Sequence, residues 1–108
     1  MDGLFMDEEN FANDNYFCLT MAGDSMINAR IMDGDIVFIR RQAEAENGSI
    51  VAVKINGECT LKRFYRDEET GTITLVAENP LFPPMVFTAE NQKNIYILGK
   101  ATAIQGNL

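Results

Sequence analysis

From residue 16 onward, short runs of β-branched and aromatic residues alternate with polar positions, and turn residues break the runs every several positions. Such spacing marks an all-β sandwich or barrel rather than strands alternating with helices. Strands are predicted over residues 16–20, 35–40, 49–55, 58–65, 72–76, 85–88 and 96–104, each rich in Val, Ile, Thr, Phe or Tyr. Asp33-Gly34, Asn47-Gly48, Asn56-Gly57 and Thr70-Gly71 punctuate them, while Asn79-Pro80 and Pro83-Pro84 mark a loop that cannot continue a ladder. Only residues 25–29 look helical, over no more than a single turn. Residues 1–15 show neither the helical nor the strand period and are expected to form an arm. Residues 16–108 are then one mainly β domain.

The sharpest local expectation is a hairpin. Two strand-like runs meet at Asn56-Gly57, the pair that a two-residue type I′ turn requires. The turn sets the register, with Ile55 opposite Glu58, Val53 opposite Thr60 and Val51 opposite Lys62. Period two then puts Lys62 on the face that carries Thr60 and Phe64, among Val51 and Val53.

Composition narrows the function. A chain of 108 residues, 46% hydrophobic and 23% charged, fits one globular domain, and no apolar run approaches the roughly 18 residues of a membrane span. The first 15 residues carry five acidic side chains and no basic one, the wrong order for a secretory signal, so a cytoplasmic protein without membrane contact is expected. A net charge of −7 is repelled by phosphate backbones, and this domain is not expected to bind nucleic acid directly. Cys18 and Cys59 lack paired spacing and are expected to be ordinary buried residues. Neither a metal site nor a cofactor is expected.

The chain has no histidine, which excludes Ser-His-Asp and Cys-His catalysis. A hydrolytic base would have to be a lysine or a carboxylate. A solvated lysine is protonated at neutral pH, so Lys62 needs the dry face of its hairpin to serve. The hairpin alone equally allows the amine to snorkel into solvent. Gly23-Asp24-Ser25-Met26 follows the first strand, where Gly23 permits a tight backbone and leaves Ser25 beside N–H groups of the kind that hold an oxyanion. Taken alone, the same residues also fit a capped turn.

Together the segments resemble one family. Gly23-Asp24-Ser25-Met26-Ile27-Asn28-Ala29, followed by Ile31-Met32-Asp33-Gly34-Asp35, is similar to the nucleophile box of the LexA and UmuD self-cleaving regulators. Gly48-Ser49-Ile50-Val51-Ala52 with Glu58-Cys59-Thr60-Leu61-Lys62-Arg63-Phe64 resembles that family's lysine-bearing hairpin, and the interval of 37 positions between Ser25 and Lys62 matches LexA-type members. Glu78-Asn79-Pro80 and Ile97-Leu98-Gly99-Lys100-Ala101 fall where the family has its ENP-like loop and final strand.

The resemblance implies a LexA/signal-peptidase-like fold, twisted antiparallel sheets forming a partly open barrel, with at most one short helical turn. It implies a serine peptidase in which Ser25 attacks and Lys62 is the base. The backbone N–H groups of Asp24 and Ser25 would hold the oxyanion, supported by Gly23, Met26, Val51, Val53, Thr60 and Phe64. It also implies a repressor that cuts its own linker when an activated recombinase filament acts as co-protease, ending repression in a DNA-damage response. A homodimer through the last strand, from Tyr96 to Ile104, belongs to the same expectation. Two departures stand out: the DNA-binding domain is absent, and Ala22-Gly23 abuts Ser25 instead of lying well upstream as a cleavable bond would. The chain is therefore expected to be a truncated form or a cleavage product. A UmuD-like accessory of a translesion polymerase and a non-cleaving dimerisation module are the alternatives.

Overall fold

The computed structural model describes residues 4–6 and 15–106. Eight strands make one sheet: β1 (Leu4–Met6), β2 (Tyr16–Met21), β3 (Ile36–Arg41), β4 (Ile50–Ile55), β5 (Glu58–Arg66), β6 (Ile73–Val76), β7 (Met85–Phe87) and β8 (Ile95–Gln105). Their order is β1-β2-β3-β8-β4-β5-β6-β7, with every pairing antiparallel, so the sheet twists into a half-barrel. Among the described residues, helical structure is confined to single 3-10 turns at Ile27–Ala29 and Ala89–Asn91. Among the described residues, no helix is long and apolar enough to cross a membrane.

The seven predicted strands are all present, with no end displaced by more than one residue. β1 is the addition: Leu4 pairs with Met21 and Met6 with Leu19, within a segment expected to be only an arm. Three residues are too few to show a period, and their partner lies far along the chain. The hairpin has the predicted register, Ile55 against Glu58, Val53 against Thr60 and Val51 against Lys62. Asn56 and Gly57 adopt φ of 50° and 86°, the two positive values of a type I′ turn.

The sheet carries an apolar core on each face, which follows from the alternation of side chains along β4 and β5. Ala52 and Leu61 join Phe17, Leu19, Met21, Met26, Ile31, Val37 and Ile39 in one cluster. Val51, Val53 and Phe64 join Ile73 and Leu75 in the other. β8 links the two halves, pairing with β3 through its C-terminal part and with β4 through its N-terminal part.

Candidate active site

Ser25 lies in the tight connection that leaves β2, and three contacts fix its path. Gly23, at φ 89°, donates its N–H to Asp33 Oδ1 at 2.8 Å. Met21 and Gly34 pair backbone to backbone, which folds the 33–35 segment back against the turn. Asp35 is buried and accepts the Met32 N–H at 2.8 Å. Met26 sinks into the first core, so it anchors the turn from beneath and does not share the lysine's face of the sheet.

Lys62 stands on the other core's face, as the hairpin register requires. It is 4% exposed, opposite Val51, in line with Thr60 and Phe64. The snorkelling alternative is thereby excluded. Its Nζ donates to Thr60 Oγ1 at 3.2 Å. The next residue, Arg63, pairs with Glu78 and donates to the Gly48 carbonyl.

The segment after β6 connects these two places. Asn28 donates its N–H to the Glu78 carbonyl at 2.8 Å, and the buried Asn79 donates its amide Nδ2 to the Asp24 carbonyl at 2.9 Å. The serine turn is thus bonded to residues 78 and 79, and residue 78 is bonded to the neighbour of Lys62. Sequence reasoning noted Glu78-Asn79-Pro80 as a family-like loop without assigning it this bridging place. Asp33 was read only as part of a turn with Gly34, and Asp35 was given no part.

Five polar or charged residues are buried among those described: Ser25, Asp35, Thr60, Lys62 and Asn79. All belong to the serine turn, the lysine strand or the segment tying them together. Among buried side-chain nitrogen and oxygen atoms of the described residues, only the Ser25 hydroxyl lacks a hydrogen-bond partner, and Ser25 is 0% exposed. The Ser25 hydroxyl does not bond the Lys62 amine, which donates to Thr60 instead. A groove of about 410 Å³ opens nearby, lined in part by Gly48, Ser49, Arg63 and Lys100, and neither Ser25 nor Lys62 lines it. The pair is closed off from solvent.

Neither backbone N–H assigned to the oxyanion, of Asp24 or Ser25, donates to a hydrogen bond among the described residues. No cluster of three or more His, Cys, Asp or Glu residues able to hold a metal occurs there either. Cys18 and Cys59 form no disulfide. Burial pushes the Cys59 thiol up from 9.0 to about 11, against the opposing pull of the Lys54 charge across the hairpin. The folded chain then holds a proton that the unfolded chain releases, so this group's contribution to stability fades as pH rises from about 9 to about 11. At pH 8 iodoacetamide should alkylate Cys59 about a hundredfold more slowly in the folded chain than in urea, because the thiolate is the nucleophile. Peptide mapping that finds equal rates would contradict the burial argument.

A family model described as Peptidase S24-like matches residues 2–102. Among curated proteins, the LexA repressor of Magnetococcus marinus is 45% identical over 104 residues, 96% of this chain and 43% of that protein. The LexA repressor of Geobacter sp. strain M21 is 39% identical over 105 residues, 96% of this chain and 51% of that protein. That of Nocardioides sp. is 48% identical over 88 residues, 82% of this chain and 33% of that protein. The chain spans about half or less of the length of these relatives.

Proposed function

Because the chain belongs to the Peptidase S24-like family, we propose that it is the self-cleaving serine peptidase domain of a LexA-type repressor, with Ser25 as nucleophile and Lys62 as base. The observation that carries this reading is the Ser25 hydroxyl, fully buried and alone in lacking a partner where every other buried polar side chain among the described residues has one. Leaving a buried hydroxyl unbonded costs about 1–3 kcal/mol, which a domain of marginal stability retains where chemistry needs the group. A lysine buried beside valines has the same character.

In the reaction, the Lys62 amine leaves Thr60, takes the proton of Ser25 Oγ, and the oxygen attacks the scissile carbonyl carbon. The oxyanion is received by the Asp24 and Ser25 N–H groups. As the tetrahedral intermediate collapses, Lys62 delivers the proton to the departing amine, and water then hydrolyses the ester on Ser25. Loose geometry before the substrate arrives is common for such pairs. Closure of the site makes this the latent state, and an activating partner such as a recombinase filament would act by favouring the open one. The substrate is the linker of the parent repressor. Tyr96 and Ile104, both exposed on β8, support a homodimer built along that strand. DNA binding would belong to another part of the parent protein, since a net charge of −7 opposes it here.

The test is to incubate the parent chain, carrying its natural linker, across a range of pH. Cleavage should climb toward alkaline pH, because an ammonium group accepts no proton. Ser25→Ala should remove cleavage and leave the circular dichroism spectrum unchanged. Persistence of cleavage in that variant would mean that another group attacks.

A further inference from the structure

Among the described residues, Asn79 is the one buried polar side chain that reaches from the segment after β6 into the serine turn. Its Nδ2 donates to the Asp24 carbonyl oxygen at 2.9 Å, across 55 positions of sequence, while its Oδ1 accepts the Leu81 N–H at 3.0 Å. The amide is therefore held at both ends, and the residue is only 4% exposed. The Asp24 carbonyl and the Ser25 N–H belong to one peptide unit, which is planar and trans. Fixing the direction of the oxygen fixes the direction of the hydrogen on the opposite side of that plane. The Ile27 N–H also approaches the same oxygen, at 3.4 Å, too long to hold it firmly alone.

We infer that Asn79 is a positioning residue that aims the Ser25 N–H at the developing oxyanion, by gripping the carbonyl end of the same peptide unit. This rests on the dyad reading above and extends it to a side chain that touches neither the base nor the nucleophile's oxygen. The neighbouring contacts fit the assignment: Glu78 bonds both Arg63, beside Lys62, and the Asn28 N–H, so residues 78 and 79 together hold the serine turn against the lysine strand. Asn79 is the member of that pair bonded to the donor's own peptide unit.

Asn79→Asp separates the two ends of the side chain. A carboxylate still accepts the Leu81 N–H, so the local turn stays closed. It has no hydrogen to give the Asp24 carbonyl and turns that grip into repulsion. The readout is the rate at which a fluorophosphonate labels Ser25 in the 108-residue chain. In that step the Oγ–P bond forms, the P–F bond breaks, fluoride leaves, the hydroxyl proton passes to Lys62, and the phosphoryl oxygen takes the place of the oxyanion.

Labelling should fall about tenfold to a hundredfold in Asn79→Asp, somewhat less than the loss of an entire oxyanion donor. The midpoint of its pH dependence should stay where the unaltered chain has it, since the base is untouched. Labelling as fast as in the unaltered chain overturns the inference, and so does a slower rate accompanied by a displaced midpoint, which marks general damage to the site. Should the Asp variant fail to fold, Asn79→Ser, whose shorter side chain keeps a weaker bond to the Leu81 N–H and falls short of Asp24, carries the same expectations and the same overturning results. Lys62→Met measured alongside keeps the two ideas apart. If it labels as fast as the unaltered chain, the dyad reading fails, whereas loss of labelling in Lys62→Met with full labelling in Asn79→Asp removes only the part given to Asn79.

Discussion

Lys62→Met is expected to lower self-cleavage of the parent chain by on the order of a thousandfold or more while raising the melting temperature. The activity loss follows from removing the base proposed for Ser25, since general base catalysis contributes about 10²–10⁴-fold and this domain has no histidine to substitute. The stability gain follows from where the amine lies. At 4% exposure, opposite Val51 and in line with Phe64, the ammonium form has lost most of its water. Replacing a buried charged group with an apolar one of similar volume is often stabilising. Methionine matches the lysine stem in length and adapts to irregular surroundings. Against the gain stands the Thr60 hydroxyl, which loses the bond it accepts from Nζ, a loss of about 1 kcal/mol. A net increase of about 1–2 kcal/mol, or several degrees in a domain of this size, is the expected balance.

Lys62→Ala supplies the contrast. It should abolish cleavage equally but lower the melting temperature, because truncation leaves a cavity beside Val51 and Phe64. Two inactive variants with stabilities shifted in opposite directions would show that the amine is kept for chemistry at a cost to the fold. A melting temperature that falls in both would show instead that the amine stabilises the hairpin, and the case for its catalytic retention would weaken.

Much of this arrangement was legible in the sequence, and the legible part is local. The Asn56-Gly57 turn dictates a register, the register dictates which residues face Lys62, and burial of Val51, Val53, Thr60 and Phe64 followed. The tight turn at Gly23 was readable for the same reason, since its backbone conformation depends on a neighbouring residue type. Long-range features were not readable. The hold of Asn79 on Asp24 and of Asp33 on Gly23 joins side chain to backbone across segments with no shared period. That the Lys62 amine bonds Thr60 while the Ser25 hydroxyl stays unbonded depends on how separate elements meet, which register does not specify. The β1 strand is set by the edge that β2 offers, and the placement of β8 between β3 and β4 by a connection that passes over intervening strands. Those are properties of the folded sheet.

Gly99→Ala should be the most damaging small substitution outside the site. β8 is irregular on both sides of this glycine: its register against β4 shifts between Ala52 and Val53, and against β3 between Phe38 and Ile39. Gly99 itself pairs with Arg41 on one side and Ala52 on the other, where the two halves of the half-barrel approach one another. A methyl group there would fall on the Arg40 carbonyl oxygen and within 2.6 Å of Ile39 Cγ2. The first obstacle is backbone, which cannot turn aside as a flexible side chain would, so the strands must separate and loosen their ladder. About 2–4 kcal/mol of stability should be lost, lowering the melting temperature by about 10–20 °C.

Gly57→Ala is the matched control, because nothing lies within 4 Å of its added carbon and only the φ of 86° opposes the side chain, at about 1–2 kcal/mol. The serine turn leaves β2 beside β3, whereas Lys62 is on β5 beside β4, so β8 is the element through which the sheet holds the proposed nucleophile and base in common register. Gly99→Ala should therefore slow cleavage by about tenfold even at temperatures where the variant remains folded, while Gly57→Ala leaves the rate within twofold. Equal loss of stability in the two variants would mean that the strands yield at Gly99 more easily than the packing requires. Unchanged cleavage in a folded Gly99→Ala chain would mean that the contacts of residues 78 and 79 keep the site aligned without the help of β8.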